Sequence, residues 1–261
     1  MKFQDQIGNT LELLKIPQRI ISLVPSQTEL LVDLGLEKNI VGITKFCVHP
    51  VDLKQEKTIV GGTKNIHLQK IKELQPDIIL CNKEENTKEI VEFCMQIAPT
   101  HVSDIYTIED VLELTRHYGE ILNCSAKSFI IQKKLQKELN NFEQFVKDKK
   151  IEKVAYFIWK NPWMVAANNT FINHILGLNK FDNFYKNHSR YPEINLDELL
   201  KERDLGTIFL SSEPYPFKEK DIIELQGQFE KAKIILVDGE MFSWYGSRLL
   251  KAFNYFKSLH D

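Results

Sequence analysis

Seven aromatic residues fall where strands of the second half of the chain are expected to end: Trp159, Trp163, Tyr215, Phe217, Phe242, Trp244 and Tyr245. They include all three tryptophans of the protein. A ring in a loop usually packs on the core beneath it, but seven at one end of one half also make a stacking wall for a broad, flat ligand. Charged groups that can orient such a ligand accompany them. Arg248 and Lys64 can pair with ligand carboxylates, and Glu213 or Asp238 can accept from ligand amides.

Catalytic and metal chemistry is less well provided for. Cys47-Val48-His49 offers a thiol and an imidazole, but no spaced second pair accompanies them, and Pro50 suggests a turn. No metal site is firm, and no intrinsic cofactor is expected. Gly61-Gly62-Thr63-Lys64 lacks the first glycine of a phosphate loop, and no G-x-S-x-G elbow occurs. Asp238 and Glu240 fit an acid/base pair or a cation, but a polar loop accounts for them equally. No nucleophile, base and oxyanion donor come together, so the chain is not expected to be an enzyme. The alternatives are a chelatase-like enzyme using Cys47, His49, Glu84 and Glu213 as donors, or a ligand sensor.

The chain has 261 residues and a net charge of −2, which gives no reason to expect nucleic acid or a polyanionic membrane surface as partner. Lys147, Lys149 and Lys150 form a basic run that a solvated helix end explains. The four cysteines (Cys47, Cys81, Cys94, Cys124) contain no C-x-x-C pair, and Cys81 closes an apolar strand as a buried thiol. No membrane span is expected. Met1-Lys2 leads into polar residues without a signal-peptide run, which implies a cytoplasmic protein, periplasmic only if the chain is truncated.

These residues need elements to hold them. Residues 2–14 suit a hairpin turning at Gly8-Asn9. Ile20–Val24 suits a buried strand, followed by a helix to Leu34 that Ser26 caps through an S-x-x-E box with Glu29. Gly35 ends it. Strands and helices then alternate: strands at Ile40–Thr44, Thr58–Val60 and Ile78–Cys81, helices at His67–Leu74, Thr87–Gln96 and Ile108–Leu122. That alternation indicates a parallel sheet covered on both faces.

Residues 120–161 contain neither Gly nor Pro. Ile131, Leu135, Leu139, Phe142 and Val146 mark one face of a helix from Ser125 to Lys149, about 37 Å long and stiff enough to be a strut. The βα pattern then resumes, with strands at Val154–Ile158, Met164–Ala166, Thr207–Leu210 and Ile234–Val237. Helices are expected at Thr170–Leu178, Leu196–Glu202, Lys220–Gln226 and Ser247–Leu259. Residues 71–80 and 200–210 echo each other as helix ends feeding apolar strands. The expected fold is α/β: two three-layer lobes with mostly parallel sheets, residues 1–122 and 151–261, joined by a single backbone helix over 123–150. The ligand cleft is expected between the lobes, beyond the carboxyl ends of the strands.

Several segments carry a resemblance. Arg19-Ile-Ile-Ser-Leu-Val-Pro-Ser-Gln-Thr-Glu-Leu30, followed by Leu34-Gly35, looks like the first βα unit of the cobalamin- and iron-siderophore-binding proteins of ABC importers. Val41-Gly-Ile-Thr44, Val60-Gly-Gly62, Leu74-x-Pro-Asp-Ile-Ile-Leu80 and Asp238-Gly-x-x-Phe-x-x-x-Gly-x-Arg248 fall where that family has equivalents. The resemblance implies a corrinoid, haem or ferric chelate as ligand, carrying cobalt or iron, and an ABC permease as partner. By motif position it implies Pro25, Ser26 and Thr28 at one lobe's mouth, and Trp159, Trp163, Trp244 and Arg248 at the other's. Thr63 stands where the cobalamin binders carry a tryptophan, and Gln69 where importer binders present an acid to the permease. Glu84-Glu85-Asn86, Arg190-Tyr191-Pro192, Ser212-Glu-Pro-Tyr-Pro-Phe217 and Ser243-Trp-Tyr-Gly-Ser-Arg248 resemble a leaderless branch of the helical backbone metal receptors.

Overall fold

The computed structural model describes residues 1–202 and 205–260. The chain divides into two compact units, residues 1–137 with 245–250, and residues 138–244 with 251–261. Among the described residues no helix is long and apolar enough to cross a membrane.

The first unit opens with a hairpin, β1 (Lys2–Gln4) against β2 (Thr10–Glu12), antiparallel as the Gly8-Asn9 turn predicts. Then come β3 (Ile20–Ser22), α1 (Pro25–Asp33), β4 (Ile40–Ile43), α2 (Leu53–Glu56), β5 (Thr58–Ile59) and α3 (Leu68–Glu73). β6 (Ile78–Asn82), α4 (Lys88–Met95), β7 (Thr100–Ser103) and α5 (Ile108–Ile121) complete the alternation. The five strands pair in the order β5-β4-β3-β6-β7, all parallel. The chain winds outward from β3 to β5, then crosses to β6. The order therefore reverses between β3 and β6, where parallel sheets leave a crevice. Ile21, Leu23, Ile79, Cys81 and Val102 from the sheet pack on Ile71, Ile90, Val91 and Cys94 from α3 and α4.

α1 departs from the capping box. Val24, in extended conformation, is its N-cap without a side-chain bond, and Pro25 takes the first helical position. Proline suits that position because the missing N–H would have had no partner there. Ser26 and Glu29 are thereby drawn inside the helix and buried. Gly35, at φ +77°, follows the helix end as expected.

α6 runs Ser125–Val146, with residues 125–137 in the first unit and 138–146 in the second. The buried stripe is the one the periodicity marks: Ile131, Leu135, Leu139, Phe142 and Val146. The second unit continues with β8 (Glu152–Trp159), β9 (Met164–Val165), α7 (Phe171–Leu178), β10 (Phe181–Asn183) and α8 (Leu196–Leu199). Then follow β11 (Thr207–Ser211), α9 (Glu219–Gln226), β12 (Lys233–Val237), α10 (Gly239–Ser243) and α11 (Leu249–Ser258), the last crossing from the first unit into the second. Its sheet has the order β10-β8-β11-β12, parallel, with β9 added antiparallel to β8. Here the order reverses between β8 and β11. Ala155, Phe157, Ile208 and Leu210 form the sheet's share of a core closed by Leu199, Leu225 and Phe229.

Candidate functional site: the strand ends of each unit

In the second unit the reversal point is occupied by rings. Trp159 ends β8 and Tyr215 follows β11, so the topology brings them together edge to face at 5.6 Å between centroids. The Tyr215 amide donates to the Ile158 carbonyl at 3.3 Å, which ties the β11 loop to the end of β8. Tyr215 lies 4.7 Å from Phe217, and Phe217 stacks nearly parallel (7°) on Trp163 at 6.0 Å. Four rings thus form one continuous cluster. Trp159 is its outermost member, 39% exposed, whereas Phe217 is buried in the core. The Lys160 ammonium lies 5.3 Å from the Trp163 ring and is shared by Asp221 at 2.8 Å and Glu224 at 2.6 Å.

The remaining rings of the expected wall are elsewhere. Phe242 is fully buried against Tyr156, Phe209 and Phe256. It lies in α10, a helical turn that Asp238 caps by accepting from the Glu240 amide. Trp244 is buried and uses its indole N–H on Glu213 at 3.1 Å, beside the Ser243 hydroxyl at 2.5 Å. Tyr245 is buried in the first unit, where Gln27 donates to its hydroxyl at 3.1 Å. The ring cluster at this strand-end face therefore has four members, because Phe242 in α10 and Trp244 and Tyr245 after it are buried.

Glu213 and Asp238 lie close enough for their charges to interact. Burial pushes the Glu213 carboxyl above its usual value, and the neighbouring charges of Glu240 and Asp238 add to this, against the bonds from Ser243 and Trp244. Gly239 makes this packing possible: a Cβ there would lie 2.3 Å from Ser211 Oγ and 2.6 Å from Glu213 Cγ. Arg190 is exposed at φ +61°, its guanidinium 5.9 Å from the Tyr191 ring.

In the first unit the crevice between β3 and β6 is filled by polar side chains. Buried Asn86 donates to the Thr63 carbonyl at 2.9 Å and to the Leu23 carbonyl at 3.4 Å, and accepts from the Asn82 amide at 2.9 Å. Asn82 in turn accepts from the Glu84 and Glu85 amides at 2.8 and 3.0 Å. Both glutamates are partly exposed on this loop, and exposed Lys64 donates to the Glu84 carbonyl. Thr63, Lys64, Glu84 and Glu85 are thus gathered at one strand-end face, held by Asn86, which belongs to the Glu84-Glu85-Asn86 resemblance, and by Asn82, which no motif marked. The signal for Asn82 was its position at the end of an apolar strand.

Four residues expected at the ligand, Pro25, Ser26, Thr28 and Arg248, are buried within this unit. Pro25 and Ser26 are buried in the first turn of α1. Thr28 is fully buried, donating to Ser22 Oγ at 2.8 Å or the Val24 carbonyl at 3.0 Å. Arg248 is 4% exposed and grips Glu29 through Nε at 2.8 Å and a second guanidinium nitrogen at 3.1 Å. A fork-to-carboxylate pair of this kind is not available to a ligand carboxylate.

The metal candidate Cys47 is enclosed as well. Cys47 Sγ is fully buried within 3.2 Å of Thr28 and 3.3 Å of Thr44, and burial raises its thiol pKa, which disfavours a thiolate ligand. Among the described residues no three His, Cys, Asp or Glu side chains are grouped to hold a metal ion. Cys81 is buried beside Cys94, whose thiol together with burial raises its pKa.

Residues 20–232 match the periplasmic binding protein family, and the chain belongs to that family. Two curated relatives give its range. An uncharacterised ABC transporter substrate-binding lipoprotein, YvrC, of Bacillus subtilis is 25% identical over 183 residues, 67% of this chain and 57% of that protein. The aligned part thus spans little more than half of that relative's length. A vitamin B12-binding protein of Pectobacterium carotovorum is 22% identical over 241 residues, 91% of this chain and 86% of its own. A solved periplasmic heme-binding protein from Pseudomonas aeruginosa shares the fold, with a TM-score of 0.80 at 18% identity over 94% of this chain and 92% of that one. The named relatives are binding proteins.

Proposed function

We propose that this protein binds a metal-containing macrocycle or chelate, of the class spanned by corrinoids, haem and ferric siderophores, as the solute-binding component of an ABC-type uptake system. The observation that carries this reading is the Trp159, Tyr215, Phe217 and Trp163 cluster at the reversal point of the second sheet. Parallel sheets bind ligands at that point, and an aromatic surface there suits a flat, largely apolar ring system. The names of the family's relatives point to the same ligand class. Glu213 and Asp238 would accept from peripheral ligand amides. Holding a complete metal complex asks nothing of the protein as a metal ligand, consistent with buried Cys47.

Binding is readable without a label, because two tryptophans sit in the cluster. Titration with cyanocobalamin, haemin and a ferric hydroxamate siderophore is expected to quench tryptophan fluorescence saturably for at least one of them. No saturable change with any up to about 50 µM refutes the proposal.

A further inference from the structure

The buried stripe of α6 accounts for only half of that helix. Its first part, residues 125–137, turns an unusual face to solvent. Phe129 is 58% and Ile130 is 52% exposed, both large apolar side chains with no burial to explain them. Lys133, Lys134 and Lys137 are exposed on the same side, away from buried Ser128, Ile131 and Leu135, and exposed Lys127 lies at the edge of that face with its ammonium near Gly35. At 100° per residue, positions 130, 133, 134 and 137 follow one another down a single face, flanked by 127 and 129. No acidic residue occurs between Glu120 and Glu138. None of these four lysines forms an ion pair among the described residues. The Lys133 ammonium lies 5.3 Å from the Phe129 ring, so charge and apolar surface are interleaved.

We propose that this face is a contact surface for an anionic lipid membrane. Lysine stems can lie along apolar surface while their ammonium groups reach headgroup phosphates, and Phe129 and Ile130 can enter the acyl boundary between them. The apolar pair favours lipid over nucleic acid, since a phosphate backbone in water gives an exposed phenyl ring and a butyl group nothing to bury against. The chain's overall charge of −2 conceals the patch, because acids elsewhere offset it. This surface is separate from the aromatic cluster and does not depend on the ligand.

Vesicle flotation with the full chain tests the proposal. With about 30% phosphatidylglycerol in phosphatidylcholine at about 50 mM salt, the bound fraction is expected to exceed that on pure phosphatidylcholine at least about fivefold, and to fall at about 300 mM salt. Lys133→Glu/Lys137→Glu and Phe129→Ser/Ile130→Ser should each abolish the difference, with thermal melting unchanged because all four side chains are exposed. Equal partitioning to both vesicle types, or binding retained by either double variant, overturns the proposal. A self-associating protein that Phe129→Ser/Ile130→Ser makes monomeric, with no vesicle binding, assigns the face to a second copy and overturns it too.

Discussion

Arg248 and Glu29 place opposite charges where each is nearly inaccessible to water, with two hydrogen bonds between them. Removing one partner leaves the other charge buried and uncompensated, which typically costs about 3–5 kcal/mol. Arg248→Met is therefore expected to lower urea-unfolding stability by that amount. A loss below about 1 kcal/mol would contradict the assignment of Arg248 to structure. His101 gives a second expectation. It is fully buried in β7, edge-on to Tyr118 at 5.3 Å, and neither ring nitrogen has a hydrogen-bond partner among the described residues. Burial, with the nearby His117 ring adding to it, lowers its pKa from 6.5 to about 3. Below pH 6.5 the unfolded chain takes up a proton that the folded protein refuses until about pH 3. The contribution is complete above 6.5 and is lost as pH falls toward 3, at up to about 1.4 kcal/mol per pH unit. His101→Phe keeps the ring contact and should flatten this acid limb of the stability profile. Superimposable limbs for the two proteins would refute it.

At the scale of elements, the seam between α5 and α6 in the first unit depends on a missing side chain. A Cβ on Gly119 would lie 2.6 Å from the Ser128 Cβ and 2.7 Å from its hydroxyl, which donates to the Thr115 carbonyl at 2.7 Å. Glycine to alanine in a helix interior normally stabilises by about 1 kcal/mol. Here Gly119→Ala should instead destabilise by about 1–3 kcal/mol through overpacking, lowering Tm by several degrees in a thermal melt. A raised Tm would contradict so close an approach. Elements with strong apolar periodicity were the legible ones. α6 was expected from Ser125 to Lys149 and ends at Val146, where the apolar stripe ends. β7 was not legible: Thr100, His101 and Ser103 are polar yet buried, so the segment shows neither an apolar run nor an alternation. β10 (Phe-Asp-Asn) hides for the same reason, its Asn183 amide spent on the Ala166 carbonyl and Asn173. Asp238 and Glu240 suited a polar loop, and Asp238 instead caps the helical turn α10.

For the molecule as a whole, the alternation of strands and helices and the breaker-free stretch before Ile158 carried the α/β architecture with two mostly parallel sheets. The candidate site was legible in outline, since listing residues at strand ends found Trp159, Trp163, Tyr215 and Phe217. It was not legible which rings turn inward or which charges are already paired. Phe242, Trp244 and Arg248 occupy positions as plausible as those of the cluster, and only packing partners distant in sequence (Phe209, Glu213, Glu29) decide their roles. The central claim is that the exposed edge of the aromatic cluster binds the ligand. Calorimetric titration of the wild-type protein and Trp159→Ala with the same three compounds tests this most directly, because Trp159 is the outermost ring and its removal leaves the core intact. The account predicts saturable binding of at least one compound, weakened about tenfold or more by Trp159→Ala, equivalent to about 1.4 kcal/mol. Affinity identical in the two proteins, or no binding by either, would contradict it.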